Sequence, residues 1–260
     1  MNTSALKPAL RAAVSVFLFL SAAATFAQDE PPGNLAETWV VHVDPANGQA
    51  FEEAIKAHMA LRKENEDPFN WSTFVNNTGE LGAYYFRACC FSWTDLDAYS
   101  SWADQHPQVQ AHWDGNVHPH VAGYKHHFSE VDFENSHWPE DAADFRFVGV
   151  TTWMIKPGGW QKFDAVKGEI SQIAINNGWA SDEHQWGWSS AVDGPQSVSL
   201  SIPFTNYADM TSPDPSFFEF LTEQLGSEEA AANKFAAMND ATEKSYYQIY
   251  MRRPDLSTPN

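Results

Sequence analysis

The sequence predicts an α+β protein in which one β-α-β-β-α-β unit occurs twice in tandem. Three observations carry this. A short apolar leader stands apart from the rest of the chain. Ordered correspondences link residues 37–129 to residues 145–256. Within each stretch, β-like apolar runs alternate with helix-like runs.

The leader comes first. Lys7 and Arg11 precede an apolar run from Ala12 to Ala24, broken only by Ser15 and Ser21. Thr25 and Ala27 then set small residues at the positions a signal peptidase reads, and Gln28-Asp29-Glu30 opens a polar stretch. This order is that of a secretory signal peptide (residues 1–27) cleaved after Ala27. It implies a secreted or periplasmic protein with no membrane insertion after cleavage, since the run is short for a span of roughly 20 residues. Residues 28–36, rich in Pro, Gly and acid, read as a disordered lead-in.

The repeat follows. Val43-Asp44-Pro45-Ala46-Asn47-Gly48-Gln49-Ala50-Phe51 aligns with Ile155-Lys156-Pro157-Gly158-Gly159-Trp160-Gln161-Lys162-Phe163, matching Pro, Gln and Phe at one offset. Each segment follows a β-like run (Trp39–Val43, Phe147–Ile155) and precedes a helix-like one (Gln49–Lys63, Gln161–Asn176). Trp71 and Trp186 each open a further strand, and those strands end at the turns Thr78-Gly79 and Asp193-Gly194, where Gly supplies positive φ. The runs Ala83–Phe91 and Ser197–Phe204 come next, then helix starts at Thr94-Asp95 and Thr205-Asn206, and closing strands at Gly123–Phe128 and Ser245–Met251. Gly226-Ser227-Glu228-Glu229 reads as a helix stop, an N-cap and an acidic first turn. The acidic stretch 130–144 reads as the linker, and residues 257–260 as a tail.

Charge narrows the partners. The chain has 15 basic and 34 acidic residues and a net charge of −19. Such a surface repels nucleic acid and anionic lipid, so neither is expected as a partner. Aromatic residues make up 14% of the chain, with 11 Trp, enough to build a core and still line a cavity. The two cysteines, Cys89 and Cys90, are adjacent. Neighbours on a strand point to opposite faces, so they read as structural thiols before a redox-active pair or a metal site.

A β-α-β-β-α-β unit is ferredoxin-like, with helices on one face of a four-stranded sheet. Here the strands are apolar on both faces, as in Trp39-Val40-Val41 and Tyr84-Tyr85-Phe86. The open face must be covered too, and the second copy can cover it, which would make an intramolecular α/β barrel. On this element order and duplication, residues 37–256 resemble the dimeric α/β-barrel superfamily, the antibiotic-biosynthesis-monooxygenase-like and NIPSNAP-like group. The ending Tyr250-Met251-Arg252-Arg253-Pro254-Asp255-Leu256 is similar to that of uncharacterised exported bacterial members. The resemblance implies any of cofactor-independent oxygenation, haem degradation, haem peroxidase-like chemistry, isomerisation or cyclisation, because this fold hosts many reactions.

Candidate site residues fall in four groups. His42 lies mid-strand with Val40 on one face, and its counterpart in the second copy is Met154. It reads as a hydrogen-bonded core histidine or as an acid/base. Arg87, inside an apolar strand, reads as one half of an ion pair with a carboxylate or as a clamp for a developing oxyanion. Trp71, His184, Trp186 and Trp188 read as core packing or as the aromatic wall of a ligand pocket. His118, His120 and His126, within a run that also holds His106, His112 and His127, read as surface or capping groups or as ligands to haem or a metal. The chain has no Gly-x-Ser-x-Gly elbow, phosphate-binding loop or dinucleotide fingerprint.

The resulting expectation is an exported barrel that binds a small apolar or aromatic molecule, as a cofactor-independent oxygenase or isomerase if it is an enzyme. Two alternatives stay open. One is a non-enzymatic interaction module of the cell envelope; the other is a haem protein using the His118–His127 cluster.

Overall fold

The computed structural model describes residues 33–79, 81–138 and 145–259. The leader and residues 139–144 of the expected linker lie outside the described residues. Among those described, no helix is long and apolar enough to cross a membrane.

Eight strands close into one antiparallel barrel. They are β1 (Leu35–Val43), β2 (Trp71–Asn76), β3 (Ala83–Phe91), β4 (Val121–His137), β5 (Phe147–Ile155), β6 (Trp186–Ala191), β7 (Ser197–Phe204) and β8 (Thr242–Arg252). Their order around the barrel is β1-β3-β2-β8-β5-β7-β6-β4. Helices α1 (Gly48–Glu64), α2 (Trp93–Gln105) and α3 (Pro107–His112) belong to the first half, and α4 (Trp160–Asn176), α5 (Phe217–Leu225) and α6 (Glu228–Ala241) to the second. Within each half the strands take the order fourth-first-third-second. The halves meet where β2 pairs β8 and where β4 pairs β6. Closure removes the sheet edges that a single half would expose.

Local chemistry explains the helix limits. Asp44 accepts from Ala46 N and starts a 3-10 turn, with Pro45 at the first position, that runs into α1. Ser92 and Asp95 form a capping box on α2, and Ser216 and Glu219 form another on α5. Gly226, at φ 79°, ends α5 in the left-handed region, and Ser227 caps α6. In α1 the residues Phe51, Ile55, His58 and Met59 are buried at helical spacing. Phe51 and Ile55 are completely buried against β1 and β3, and each contributes about 1.5–3 kcal/mol by burial. The matching stripe of α4 is Phe163, Lys167, Ile170, Ser171 and Ala174. Each half thus has its own core between its helices and the outer face of the barrel.

The C-terminal segment ties the halves together. Beyond β8, Arg253 N donates to Thr73 O, Ser257 Oγ accepts from Thr73 N, and Thr258 N donates to Trp71 O. Leu256 is fully buried in the core of the first half. Arg253 grips Glu52 of α1 with two 2.7 Å bonds and also binds Asp255. This holds the Asp255 carboxyl down at about 2.

Four expectations change. Leu35 and Ala36, read as lead-in, are buried in β1 because that strand pairs with both β3 and β4. Residues 130–137, read as linker, continue β4, which must reach β6 for the barrel to close. Thr205-Asn206 starts no helix. The Asn206 side chain accepts from Ala208 N at the start of a 3-10 turn, and the helix begins at Phe217. Cys89 and Cys90 form a disulfide rather than two thiols. The pairing of β1 with β3 skips from Phe91 to Cys89, so Cys90 is a bulge residue and the alternation that argued against a bridge does not hold there.

Candidate functional site

Alternation and register sort the candidate residues into three places. Even-numbered residues of β1 face the barrel interior, and odd-numbered ones face the helices.

The interior receives His42 and Arg87. Thr38 pairs with Arg87 on one side and His127 on the other, so these three share the inner face. Arg87 Nη1 donates to Thr38 Oγ1 at 3.3 Å and to Ser129 Oγ at 3.2 Å, two hydroxyls rather than a carboxylate. Burial pulls its pKa down to about 10, which leaves it charged at neutral pH. Burial also lowers His127; Asp193 opposes this, while Arg87 reinforces it. His42 pairs with Ala83 and Gly123, four residues along the strand from Thr38. At roughly 3.3 Å per residue, His42 and Arg87 stand about 13 Å apart along β1. They share a face but not a reaction centre.

The helix side of the second half holds a cavity of about 1030 Å³, between β5–β7 and α4–α6. Trp153, Trp179, Trp186, Trp188, Phe217 and His184 line it. Trp186 Nε1 donates to Asn135 O at 2.7 Å and Trp188 Nε1 to Ser171 Oγ at 3.0 Å. Both indole donors are thereby satisfied, so these rings offer the cavity apolar surface in fixed orientation. His184 precedes β6 rather than lying on it, but it reaches the same cavity. It stacks on Trp179 with ring centroids 4.0 Å apart, and its Nδ1 meets Trp179 O at 3.1 Å. A carbonyl only accepts, so Nδ1 is the donor in this contact.

The helix side of the first half holds a smaller cavity of about 340 Å³. Trp71, which opens β2 as Trp186 opens β6, lines it together with Glu37, Trp39, His58, Arg62 and His118. Its charged groups are tightly placed. Arg62 donates to Asp67 and to Tyr99 Oη, with its guanidinium 5.2 Å from the centre of the Trp71 ring. His58 is 1% exposed, and burial, then Arg62 and His112, push its pKa down to about 3. His58 Nδ1 lies 3.4 Å from His112 Nδ1. Glu37 is 6% exposed; its Oε1 accepts from Trp39 Nε1 and His126 Nε2, each at 2.8 Å.

The expected histidine cluster is therefore dispersed. His118 Nδ1 bonds Tyr124 Oη at 2.7 Å, His126 is engaged with Glu37, and His120 ends a 3-10 turn. Residues 126 and 127 do split across the strand, as alternation requires. Among the described residues, no three His, Cys, Asp or Glu side chains converge where a metal ion could sit.

Sequence reasoning missed Glu37, His58, Arg62, Trp153 and Trp179. For Glu37 a signal existed, an acid between Ala36 and Trp39 where β1 begins. His58, three residues after Ile55 and seven after Phe51, lies on the apolar stripe of α1.

No protein-family model matches the sequence, and no curated protein matches it. Solved structures do match in fold. A candidate monooxygenase from Lactobacillus acidophilus aligns with a TM-score of 0.52 and 8% identity over 86% of this chain and 94% of its own. One from Fusobacterium nucleatum aligns at 0.54 and 9% over 84% and 91%. A doubly substituted chlorite dismutase from Candidatus Nitrospira defluvii aligns at 0.50 and 10% over 87% and 94%. At such identities the likeness establishes the fold alone, an α+β fold with a closed eight-stranded antiparallel barrel, and the reaction has to be argued from the site.

Proposed function

We propose that this chain is an exported binding barrel, built from two tandem ferredoxin-like repeats, that takes an apolar or aromatic small molecule into the cavity of its second half. The observation carrying the reading is the wall made by Trp153, Trp179, Trp186 and Trp188, whose Trp186 and Trp188 indole donors the protein itself satisfies. A space of about 1030 Å³ lies just above the usual size range for small-molecule sites. It also weighs against a purely structural module, which would fill its interior. The duplication is supported by the offset matches of Pro, Gln and Phe and by the common strand order of the halves. Export rests on the leader, and the mature protein should begin at Gln28.

The reaction class we attach is oxygenation without a cofactor, or isomerisation. His184, the one imidazole among the described lining residues, serves as acid/base there. His42 and Arg87 face the barrel interior and take no part in this site. The test is calorimetric titration with 2-naphthol. A ring system of this size in an apolar pocket should bind with Kd on the order of 10–100 μM. Ala174, 1% exposed on the cavity wall, offers a block. Ala174→Phe should abolish binding, and undiminished binding to a folded A174F would refute the assignment.

One observation favours haem as a second reading. The bond from His184 Nδ1 to a carbonyl is the outer contact that commonly orients a metal-ligating imidazole. His184 would hold the iron, the tryptophans would enclose the porphyrin, and the group would supply one-electron or oxygen chemistry. A Soret band on adding haem that is lost in H184A would favour this reading; a spectrum of free haem alone would remove it.

A further inference from the structure

The smaller cavity contains a carboxylate that the protein satisfies on one oxygen only. Trp39 Nε1 and His126 Nε2 both donate to Glu37 Oε1, whereas Oε2 is buried and has no hydrogen-bond partner among the described residues. A buried acceptor without a donor costs about 1–3 kcal/mol, more when charged. The two bonds to Oε1 orient the group, and Glu37 lines the cavity.

The other polar groups around this space do not answer it. Arg62 is occupied by Asp67 and Tyr99, and Asp67 is itself buried. His58 faces His112, and His118 bonds Tyr124. Trp39, Trp113 and Tyr124 supply aromatic surface beside the carboxylate. An anionic ligand would be repelled by Glu37. A neutral hydroxyl would satisfy the hydrogen bond but leave the charge unmatched. An ammonium group does both and also gains from the ring faces. The net charge of −19 favours the approach of cations.

We propose that the first-half cavity is a second binding site, for a small protonated amine bearing an apolar or aryl group, with the ammonium donating to the Glu37 carboxylate. A volume of about 340 Å³ is at the low end for ligand pockets and suits a single-ring amine. This site stands apart from the larger cavity and does not depend on what that cavity binds.

The experiment is calorimetry on the mature chain at pH 7.5 with 2-phenylethylamine and with 2-phenylethanol, which keeps the ring and a donor but lacks the charge. The amine should bind at least tenfold tighter than the alcohol, about 1.4 kcal/mol. Glu37→Gln should weaken the amine at least tenfold and leave the alcohol unchanged, while A174F should leave amine binding intact. Equal affinity for the two compounds on the unmodified chain, or no binding of the amine, overturns the proposal. An unchanged amine affinity in folded E37Q does the same. So does loss of amine binding in a folded A174F, which would move the amine to the larger cavity. The amine-to-alcohol comparison needs no variant, so it decides the matter even where E37Q fails to fold.

Discussion

Acid should destabilise this protein through His58, by an amount the structure sets. His58 is 1% exposed, and its folded pKa is about 3 against 6.5 for the free side chain. A lowered folded pKa means that the stability contribution is complete above pH 6.5 and is lost as pH falls towards 3. Between pH 7.5 and pH 5.0 the unfolded chain takes up almost one proton at this side chain, while the folded chain takes up almost none. Integrating the linkage relation over that window gives a loss of about 2 kcal/mol. Asp255 and Glu52 are also held low, but their contributions are lost only as pH falls through the carboxylate range, starting from 4.5 for Glu52 and 3.8 for Asp255. His127 shifts in the same direction as His58 and must be kept constant. Urea denaturation of the native protein and of His58→Asn across this window isolates the term, because asparagine keeps a polar group near the position of Nδ1. The native protein should lose about 2 kcal/mol more than H58N between the two pH values. Parallel pH profiles would refute the account of a neutral, buried His58.

Three further outcomes follow from the packing. Leu256→Ala should cost about 2–5 kcal/mol in urea denaturation, since the side chain is wholly buried in the first-half core although it belongs to the chain terminus; a surface-like change would mean that the terminus does not dock. Trp188→Ala should cost about 3–5 kcal/mol and weaken 2-naphthol at least tenfold, because Trp188 is 4% exposed and lines the larger cavity; retained affinity would remove it from the binding wall. Replacing both Cys89 and Cys90 by Ser should change stability by only about 1 kcal/mol, since a bridge between adjacent residues closes almost no loop. A loss of several kcal/mol in thermal unfolding would show that the bridge braces the sheet.

Much of the fold was legible because it is written in local patterns. Trp71 and Trp186 open β2 and β6 as expected, and Gly226-Ser227 breaks α5 from α6. Alternation placed Trp186 and Trp188 on one face and separated His126 from His127. What failed depended on distant partners. Leu35 and Ala36 follow a Pro/Gly stretch, and only pairing with β3 and β4 makes them strand. The extension of β4 to His137 is imposed by barrel closure with β6. The histidine cluster looked like one site because its members are close in sequence. Their partners, Glu37 for His126 and His58 for His112, lie 89 and 54 residues away. The same distance hid Glu37, whose setting is assembled from β1, α1, α3 and β4.

The central claim, that the tryptophan-walled cavity of the second half is the binding site, is tested most directly by anomalous diffraction from crystals soaked in 6-bromo-2-naphthol. A bromine peak enclosed by Trp153, Trp186, Trp188 and Phe217 is expected. Bromine found only in the first-half cavity, inside the barrel or on the surface would contradict it.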